Sequence, residues 1–160
     1  MRRMVLGLML MLGMSFAKPA FAMERQRAMN WCWAAAIQDV LKPHRIHESQ
    51  ESIVFRLNGW LPDRPATIYE VENLVRSYGV RATTVHRPGN VYELASTLER
   101  GHQIIALAYP SNGAVGHFIV LEGITPDGVI IADPATGRTS TFPIASLYYQ
   151  WRWSHSIVVG

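Results

Sequence analysis

The chain has 160 residues, of which 49% are hydrophobic and 17% are charged, and its formal net charge is +3. Three of its 15 basic residues, and none of its 12 acidic ones, lie in the first 22 residues, so the remainder carries equal numbers of both signs. A balanced chain lacks the strongly basic surface that nucleic acid binding needs. We therefore expect no nucleic acid partner.

The first 22 residues have the pattern of a secretory signal peptide. They begin with a basic pair, continue into an apolar stretch over residues 4–17 and end in Ala20-Phe21-Ala22, a small-x-small cleavage site. The alternative is an uncleaved membrane anchor, but the apolar stretch is shorter than the roughly 20 residues that span a bilayer. We expect cleavage after Ala22, export to the periplasm or the medium, and no stable membrane insertion of the mature chain.

Residues 23–160 have the usual size of one domain, so we predict a single domain over this range. It contains the only cysteine of the chain, Cys32, and one cysteine cannot form an internal disulfide. Cys32 is therefore either a small hydrophobic residue of the core or a free thiol kept for its reactivity.

The first half of the domain has helical periodicity. Asn30 is a candidate N-cap for an alanine-rich helix that ends before Pro43. Thr67 and Glu70 form the Thr-x-x-Glu pattern of a capping box. The predicted helices cover residues 31–42, 48–58 and 67–78.

The second half changes to the short apolar runs that predict strands. Its later runs are joined by turns too short for helical crossovers, so the sheet should be antiparallel. The predicted strands cover residues 80–85, 103–109, 116–124, 129–133 and 151–159, and the predicted helices cover residues 90–100 and 144–149. Helices followed by a sheet predict an α+β fold.

Cys32 has the setting of a nucleophile as well as that of a core residue. It lies in the first turn of its predicted helix, where free backbone N–H groups and the helix dipole stabilise a thiolate. Burial in an apolar helix is nevertheless the commoner fate of a single cysteine. The choice between the two depends on residues elsewhere in the chain.

Six histidines are candidates for the base that would accept the proton of the thiol. Five lie in polar or turn-like settings that favour a surface position: His44, His47, His86, His102 and His155. His117 instead follows a glycine and opens an apolar strand, which places its ring at the mouth of a buried sheet. The alternative is that His117 is a structural histidine of the core with no role in catalysis.

A histidine base needs a partner that fixes its tautomer, and Asp133 is the candidate. Asp133 ends the strand after that of His117, and a hairpin with its turn at residues 126–128 sets His117 opposite residue 136. Asp133 is three residues from that position, so the two side chains can meet. The alternative is a turn-forming Asp-Pro pair.

Gln26 lies six residues before Cys32, in the segment that enters the predicted helix. An amide N–H there, with the backbone N–H of Cys32, is a candidate donor to the oxyanion that forms on an attacked carbonyl. Taken alone, Gln26 is one polar residue between two arginines.

In this order, the residues resemble the papain-like cysteine peptidases, and they are most similar to the small bacterial double-glycine leader peptidase-like domains and the avirulence-effector peptidases. The matching elements are Gln26, Cys32-Trp33, the strand that begins Gly116-His117, and the segment 132–137. The resemblance implies a papain-like α+β fold over almost the whole mature chain. It also implies that Cys32 is the nucleophile, His117 the base, Asp133 the orienting residue and Gln26 the oxyanion donor.

Two features depart from papain itself. Asn30-Trp31 replaces the Gly-Ser pair before the cysteine, and Asp133 stands where papain has an amide. The role of Trp31 stays open. Three further tryptophans are candidates either for the wall of a cleft or for the core: Trp60, Trp151 and Trp153.

The resemblance implies hydrolysis of a peptide or related amide bond in a peptide or protein substrate, through an acyl-enzyme thioester. Two alternatives stay open, an acyl or peptidyl transferase that uses the same residues and a non-catalytic peptide-binding protein on the same scaffold. The sequence has neither a glycine-rich phosphate loop nor the spacing of a His/Cys metal site, so we expect no cofactor and no metal.

Overall fold

The computed structural model describes residues 22–87, 90–110 and 115–160. The expected signal peptide lies outside these residues except for Ala22. No helix in the described ranges is long and apolar enough to cross a membrane. The helices are α1 (Cys32–Leu41), α2 (Gln50–Asn58), α3 (Ile68–Ser77), α4 (Val91–Glu99) and α5 (Ile144–Tyr149), and the strands are β1 (Ala82–His86), β2 (Gln103–Ala108), β3 (His117–Thr125), β4 (Gly128–Asp133), β5 (Arg138–Phe142) and β6 (His155–Val159).

The strands form one six-stranded antiparallel sheet in the order β1-β6-β2-β3-β4-β5. The predicted α+β class and the antiparallel meander through β2, β3 and β4 are confirmed. Strand β5 was absent from the sequence prediction. Its residues, Arg-Thr-Ser-Thr-Phe, are mostly polar and exposed at the edge of the sheet, so they have no hydrophobic pattern that predicts a strand.

Helix α1 is buried along its whole length and packs mainly on β3. Its small residues 34–36 are at most 1% exposed, and they allow the helix to approach the sheet closely. Trp33 and Ile37 are fully buried in the same core, which also includes α2 and α3. A second core, with Leu94 and Trp153, contains residues of α4 and α5.

The start of α1 differs from the prediction. Helix α1 begins at Cys32, Trp31 occupies the N-cap position, and no side chain caps the helix. Asn30 bonds elsewhere, because its backbone N–H donates to Asp63 Oδ1 at 2.8 Å and its side-chain amide donates to the Asp63 carbonyl. The Asn30 cap was therefore wrong, whereas the capping box of Thr67 and Glu70 is present at the start of α3.

The hairpin of β3 and β4 contains a β-bulge between Leu121 and Gly123. Next to the turn, Thr125 pairs with Gly128, but beyond the bulge Leu121 pairs with Ile131. The register near the start of β3 is therefore shifted by one residue from the one predicted with a regular hairpin.

Glu122 is the residue of the bulge, and its carboxyl group meets that of Asp39 on α1. Asp39 is 1% exposed, and Lys42 Nζ lies 3.6 Å from its Oδ1. Burial, together with the charge and hydrogen bond of Asp39, raises the pKa of Glu122 to about 8. Burial also raises the pKa of Asp39, against the opposing effects of Glu122 and Lys42. The carboxyl pair therefore keeps a proton, carried by Glu122, near neutral pH.

Replacing Glu122→Gln should weaken the dependence of thermal stability on pH. The folded protein keeps a proton on Glu122 up to about pH 8, while the unfolded chain releases it near the ordinary pKa of 4.5. The contribution of Glu122 to the free energy of unfolding is therefore fully present below pH 4.5, and it is lost as the pH rises through about 8. Melting temperatures measured from pH 4 to 9 should fall less in the variant than in the wild type.

The matched control is Glu99→Gln, on an exposed position of α4, which should keep the wild-type pH profile. A Glu122→Gln variant with the same profile as the wild type would show that the carboxyl pair does not hold the proton.

Candidate active site

Cys32 is the first residue of α1, and it lies at the end of the sheet where β3 begins. No acidic residue occupies the first turn of α1. Within the described part of the chain, no group accepts a hydrogen bond from the backbone N–H of Cys32. The positive end of the helix dipole and a free donor are therefore both beside the sulfur.

His117 and Asp133 meet across the neighbouring strand ends. His117 Nε2 lies 2.7 Å from Asp133 Oδ1, and the two side chains are 18% and 20% exposed. Asp133 Oδ1 also accepts the backbone N–H of Ala135 at 2.9 Å, which fixes the carboxylate in the turn. Because Nε2 is directed at the carboxylate, Nδ1 is the nitrogen left for Cys32, which lies close enough to raise the pKa of His117.

The neighbours of His117 and Asp133 shift the pKa values of both groups toward their charged forms. Burial lowers the pKa of His117, but the hydrogen bonds and negative charges of Asp133 and Cys32 outweigh it and raise the pKa to about 9. Burial opposes the ionisation of Asp133, yet the bonds from His117 and Ala135 hold the pKa of this carboxyl below its ordinary value. A protonated His117 beside an ionised Asp133 is therefore the favoured state of this pair at neutral pH.

Trp151 covers one face of the His117 ring. The two rings are stacked at 18°, with centroids 6.4 Å apart, and Phe142 meets the indole edge-on. The Trp151 carbonyl accepts the N–H of Tyr109, which ties this segment to the end of β2. The sequence did not decide whether Trp151 belongs to the cleft wall or to the core. The structure shows that its ring stacks on that of His117. Trp60 is 65% exposed and Trp153 is buried.

A cleft of about 270 Å³ opens beside Cys32. Its lining is crowded at Gly116, where a Cβ atom would lie 2.7 Å from Leu107 Cδ1 and 3.3 Å from the Tyr109 ring. The lining residues are Cys32, Trp33, Pro65, Ala66, Thr67, Ile68, Leu107, Tyr109, Val115, Gly116 and Phe118. Among the described residues the lining is mostly apolar, and its ionisable side chains there are those of Cys32 and Tyr109.

The two tryptophans beside Cys32 fix the loop that forms one wall of this cleft. Trp31 Nε1 donates to the Pro62 carbonyl at 2.8 Å, and Trp33 Nε1 donates to the Arg64 carbonyl at 3.0 Å. Trp31, which the sequence left unexplained, is therefore a buried anchor of this loop.

Gln26 lies beside the turn that follows Asp133, since its backbone N–H donates to the Pro134 carbonyl at 2.8 Å. Its side-chain amide donates to the carbonyls of Ala28 and Met29, at 2.9 and 2.6 Å. Both amide hydrogens are thus engaged, while Oε1 is buried without a hydrogen-bond partner. The structure brings Cys32, His117 and Asp133 together, but the Gln26 amide does not offer a free donor in this conformation.

The helices on an antiparallel sheet, with a cysteine at a helix start and a His–Asp pair at the facing strand ends, define the papain-like class of cysteine peptidases. The family model of the peptidase C39 family matches residues 20–157, and the chain belongs to this family. It is therefore a cysteine peptidase. No curated protein matches the chain.

Solved structures of the same fold include a double glycine motif protease from an AMS/PCAT transporter, in complex with the leader peptide (19% identity, 84% of this chain and 87% of that chain, TM-score 0.62). The peptidase domain of Streptococcus ComA is similar at 15% identity (86% and 96% covered, TM-score 0.65). A C39-like peptidase from Bacillus anthracis is similar at 14% identity (84% and 92% covered, TM-score 0.60). At these identities the likeness establishes the shared fold.

The alkaline limit of activity should lie near pH 9, where His117 loses the proton that it would give to a leaving amine. Asp133→Asn keeps the shape but removes a charge that raises the pKa of His117, so its limit should move to lower pH. The measurement is kcat/KM against pH for a cleaved peptide. Asp127→Asn, in the exposed turn of the same hairpin, is the control and should leave the limit in place. An unchanged limit in Asp133→Asn would contradict the charge argument.

Proposed function

We propose that this peptidase hydrolyses peptide bonds outside the cytoplasm through an acyl-enzyme thioester, with Cys32 as nucleophile, His117 as proton carrier and Asp133 as orienting residue. The observation that carries the proposal is the hydrogen-bonded pair of His117 and Asp133 next to Cys32, which lines a cleft. The alternatives are a transferase and a peptide-binding protein, and both are outcomes of the tests below.

The reaction follows from these positions. The Cys32 sulfur attacks the carbonyl carbon of the scissile bond, and His117 donates its proton to the departing amine as the C–N bond breaks. Water then attacks the thioester while His117 accepts a proton, and the released acid leaves Cys32 free. In this proposal the backbone N–H of Cys32 stabilises the oxyanion in both steps.

The cleft favours small side chains next to the scissile bond. Its volume of about 270 Å³ is below the roughly 300–1,000 Å³ of typical small-molecule pockets. The side chains of Leu107 and Tyr109 crowd the lining at Gly116, where a Cβ atom would require the Leu107 side chain to shift. The relative solved with a leader peptide is a double glycine motif protease. A peptide with glycine, alanine or serine before the cleaved bond is therefore the proposed substrate class.

Export is proposed from residues 1–22 alone, because their basic, apolar and Ala-Phe-Ala order is that of a cleaved signal. Recovery of a mature protein that begins at Met23 from the periplasm or the medium supports it, and retention of residue 1 in the cytoplasm contradicts it.

Cys32→Ala should abolish hydrolysis while leaving the fold intact, with kcat/KM reduced by at least roughly 10⁴-fold. Peptide libraries read by mass spectrometry supply the substrate and should show small residues before the cleaved bond. His47→Ala, at an exposed histidine, is the control and should retain activity.

Iodoacetamide labelling separates the enzyme from a binding protein. Labelling of Cys32 near pH 7 should be fast in the wild type and slower in His117→Ala. Equal activity of Cys32→Ala and wild type would overturn the assignment. An unreactive thiol would favour the binding protein, and a new amide product with an added amine would favour the transferase.

Gln26 is proposed as a second oxyanion donor that becomes available by a side-chain rotation. In the free protein its buried Oε1 has no partner, and a buried unsatisfied acceptor costs roughly 1–3 kcal/mol. This cost favours a conformation in which the carbonyl oxygen finds a donor and the amide turns to the substrate. The anchor of its backbone on Pro134 keeps the residue beside the site throughout.

Gln26→Ala should lower kcat by roughly 10²–10³-fold with a small change in KM, because an oxyanion donor acts on the transition state. Gln50→Ala, which removes another buried amide that bonds the same segment, controls for loss of structure. If Gln26→Ala changes KM alone, or leaves both constants unchanged, Gln26 has no oxyanion role.

A further inference from the structure

Two further histidines, His86 and His155, face each other at the end of the sheet where Cys32, His117 and Asp133 also lie. His86 at the end of β1 pairs directly with His155 at the start of β6, so their side chains project from the same face. Their ring centroids are 5.0 Å apart at an interplanar angle of 36°. Two imidazole nitrogens that share one ion at about 2.0–2.1 Å each belong to rings with centroids roughly 5 Å apart.

The His155 ring is held in one orientation by its neighbours. Its Nδ1 lies 3.1 Å from Ser154 Oγ, and that hydroxyl donates to the Leu107 carbonyl at 3.3 Å. Because the hydroxyl hydrogen is used on Leu107, its oxygen accepts the proton of Nδ1. The lone pair of the neutral imidazole is then on Nε2. A second hydrogen bond that fixes the tautomer in this way is the usual arrangement behind a metal-ligating histidine.

His86 is open to an entering ion. Its side chain is exposed, and within the described residues its contact is the ring of His155. These residues contain no group of three or more His, Cys, Asp or Glu side chains that could hold a metal. Water would therefore complete the coordination, as on a surface pair of histidines.

The pair is next to the cleft. Leu107 pairs with His155 on β6, and it also lines the cleft beside Cys32. Directly opposed residues share a face of the sheet, so the histidines lie on the cleft side. From these contacts we infer that His86 and His155 form a binding site for one divalent transition-metal ion, such as Ni²⁺, Cu²⁺ or Zn²⁺, at the end of the cleft. No local motif predicts this site, because its two histidines are 69 positions apart in the chain.

The test is titration of untagged Cys32→Ala protein with NiCl₂ by calorimetry. The thiol is absent, so the ion cannot be held by Cys32, and no substrate is needed. Binding of one equivalent is expected, with the dissociation constant raised at least tenfold by His86→Ala and by His155→Ala in the same background. Ser154→Ala should weaken binding by about tenfold, since it frees the His155 ring. His47→Ala should leave the affinity within twofold.

A spectroscopic measurement covers the case in which a variant folds poorly. One equivalent of Cu²⁺ on the Cys32→Ala parent should give an electron paramagnetic resonance spectrum with two coordinating nitrogens. Absence of saturable binding by the parent, equal affinity of the parent and the His86→Ala or His155→Ala variant, or a spectrum without histidine nitrogens would each overturn the inference. None of these outcomes bears on whether Cys32 cleaves peptides.

Discussion

The structure depends on the close approach of α1 to β3. Every residue of α1 is buried, and the alanines after Trp33 leave room for the sheet to come near the helix axis. This contact sets the thiol against the imidazole at one edge. It also buries both indoles beside Cys32, whose N–H groups then hold the cleft wall. A bulkier side chain in the alanine run would separate the thiol and the imidazole without touching either.

The same interface carries charge at both ends. Asp39 follows Cys32 by seven residues, about two helical turns, so both residues lie on the face that packs against β3. At one end the His117 imidazole is bonded to the Asp133 carboxylate, and at the other the carboxyl groups of Asp39 and Glu122 lie near Lys42. Burial of these charges is costly unless each has a partner. The ionic pairs therefore constrain how the helix can slide along the strand.

Much of the fold followed from local patterns. The capping box at Thr67, the helices after it and the apolar strands depend on neighbours in sequence, and the structure has them. The features that the sequence analysis mispredicted or missed depend on contacts with residues distant in the chain. Asn30 bonds to Asp63 instead of capping α1, and the polar strand β5 forms only because β4 offers an edge. The orientation of the Gln26 amide and the stack of Trp151 on His117 likewise arise from residues far along the chain.

The bulge at Glu122 determines which face of the sheet the Asp133 side chain projects from. With a regular register, Asp133 would oppose residue 120, one of the alternate positions whose side chains pack toward α1. The extra residue shifts the pairing so that Val120 opposes Ala132, and the same register puts Asp133 opposite residue 119. Positions 117 and 119 share a face, since side chains alternate along a strand. A deletion at position 122 would therefore turn the carboxylate to the wrong side of the sheet from His117 while leaving both residues in the chain.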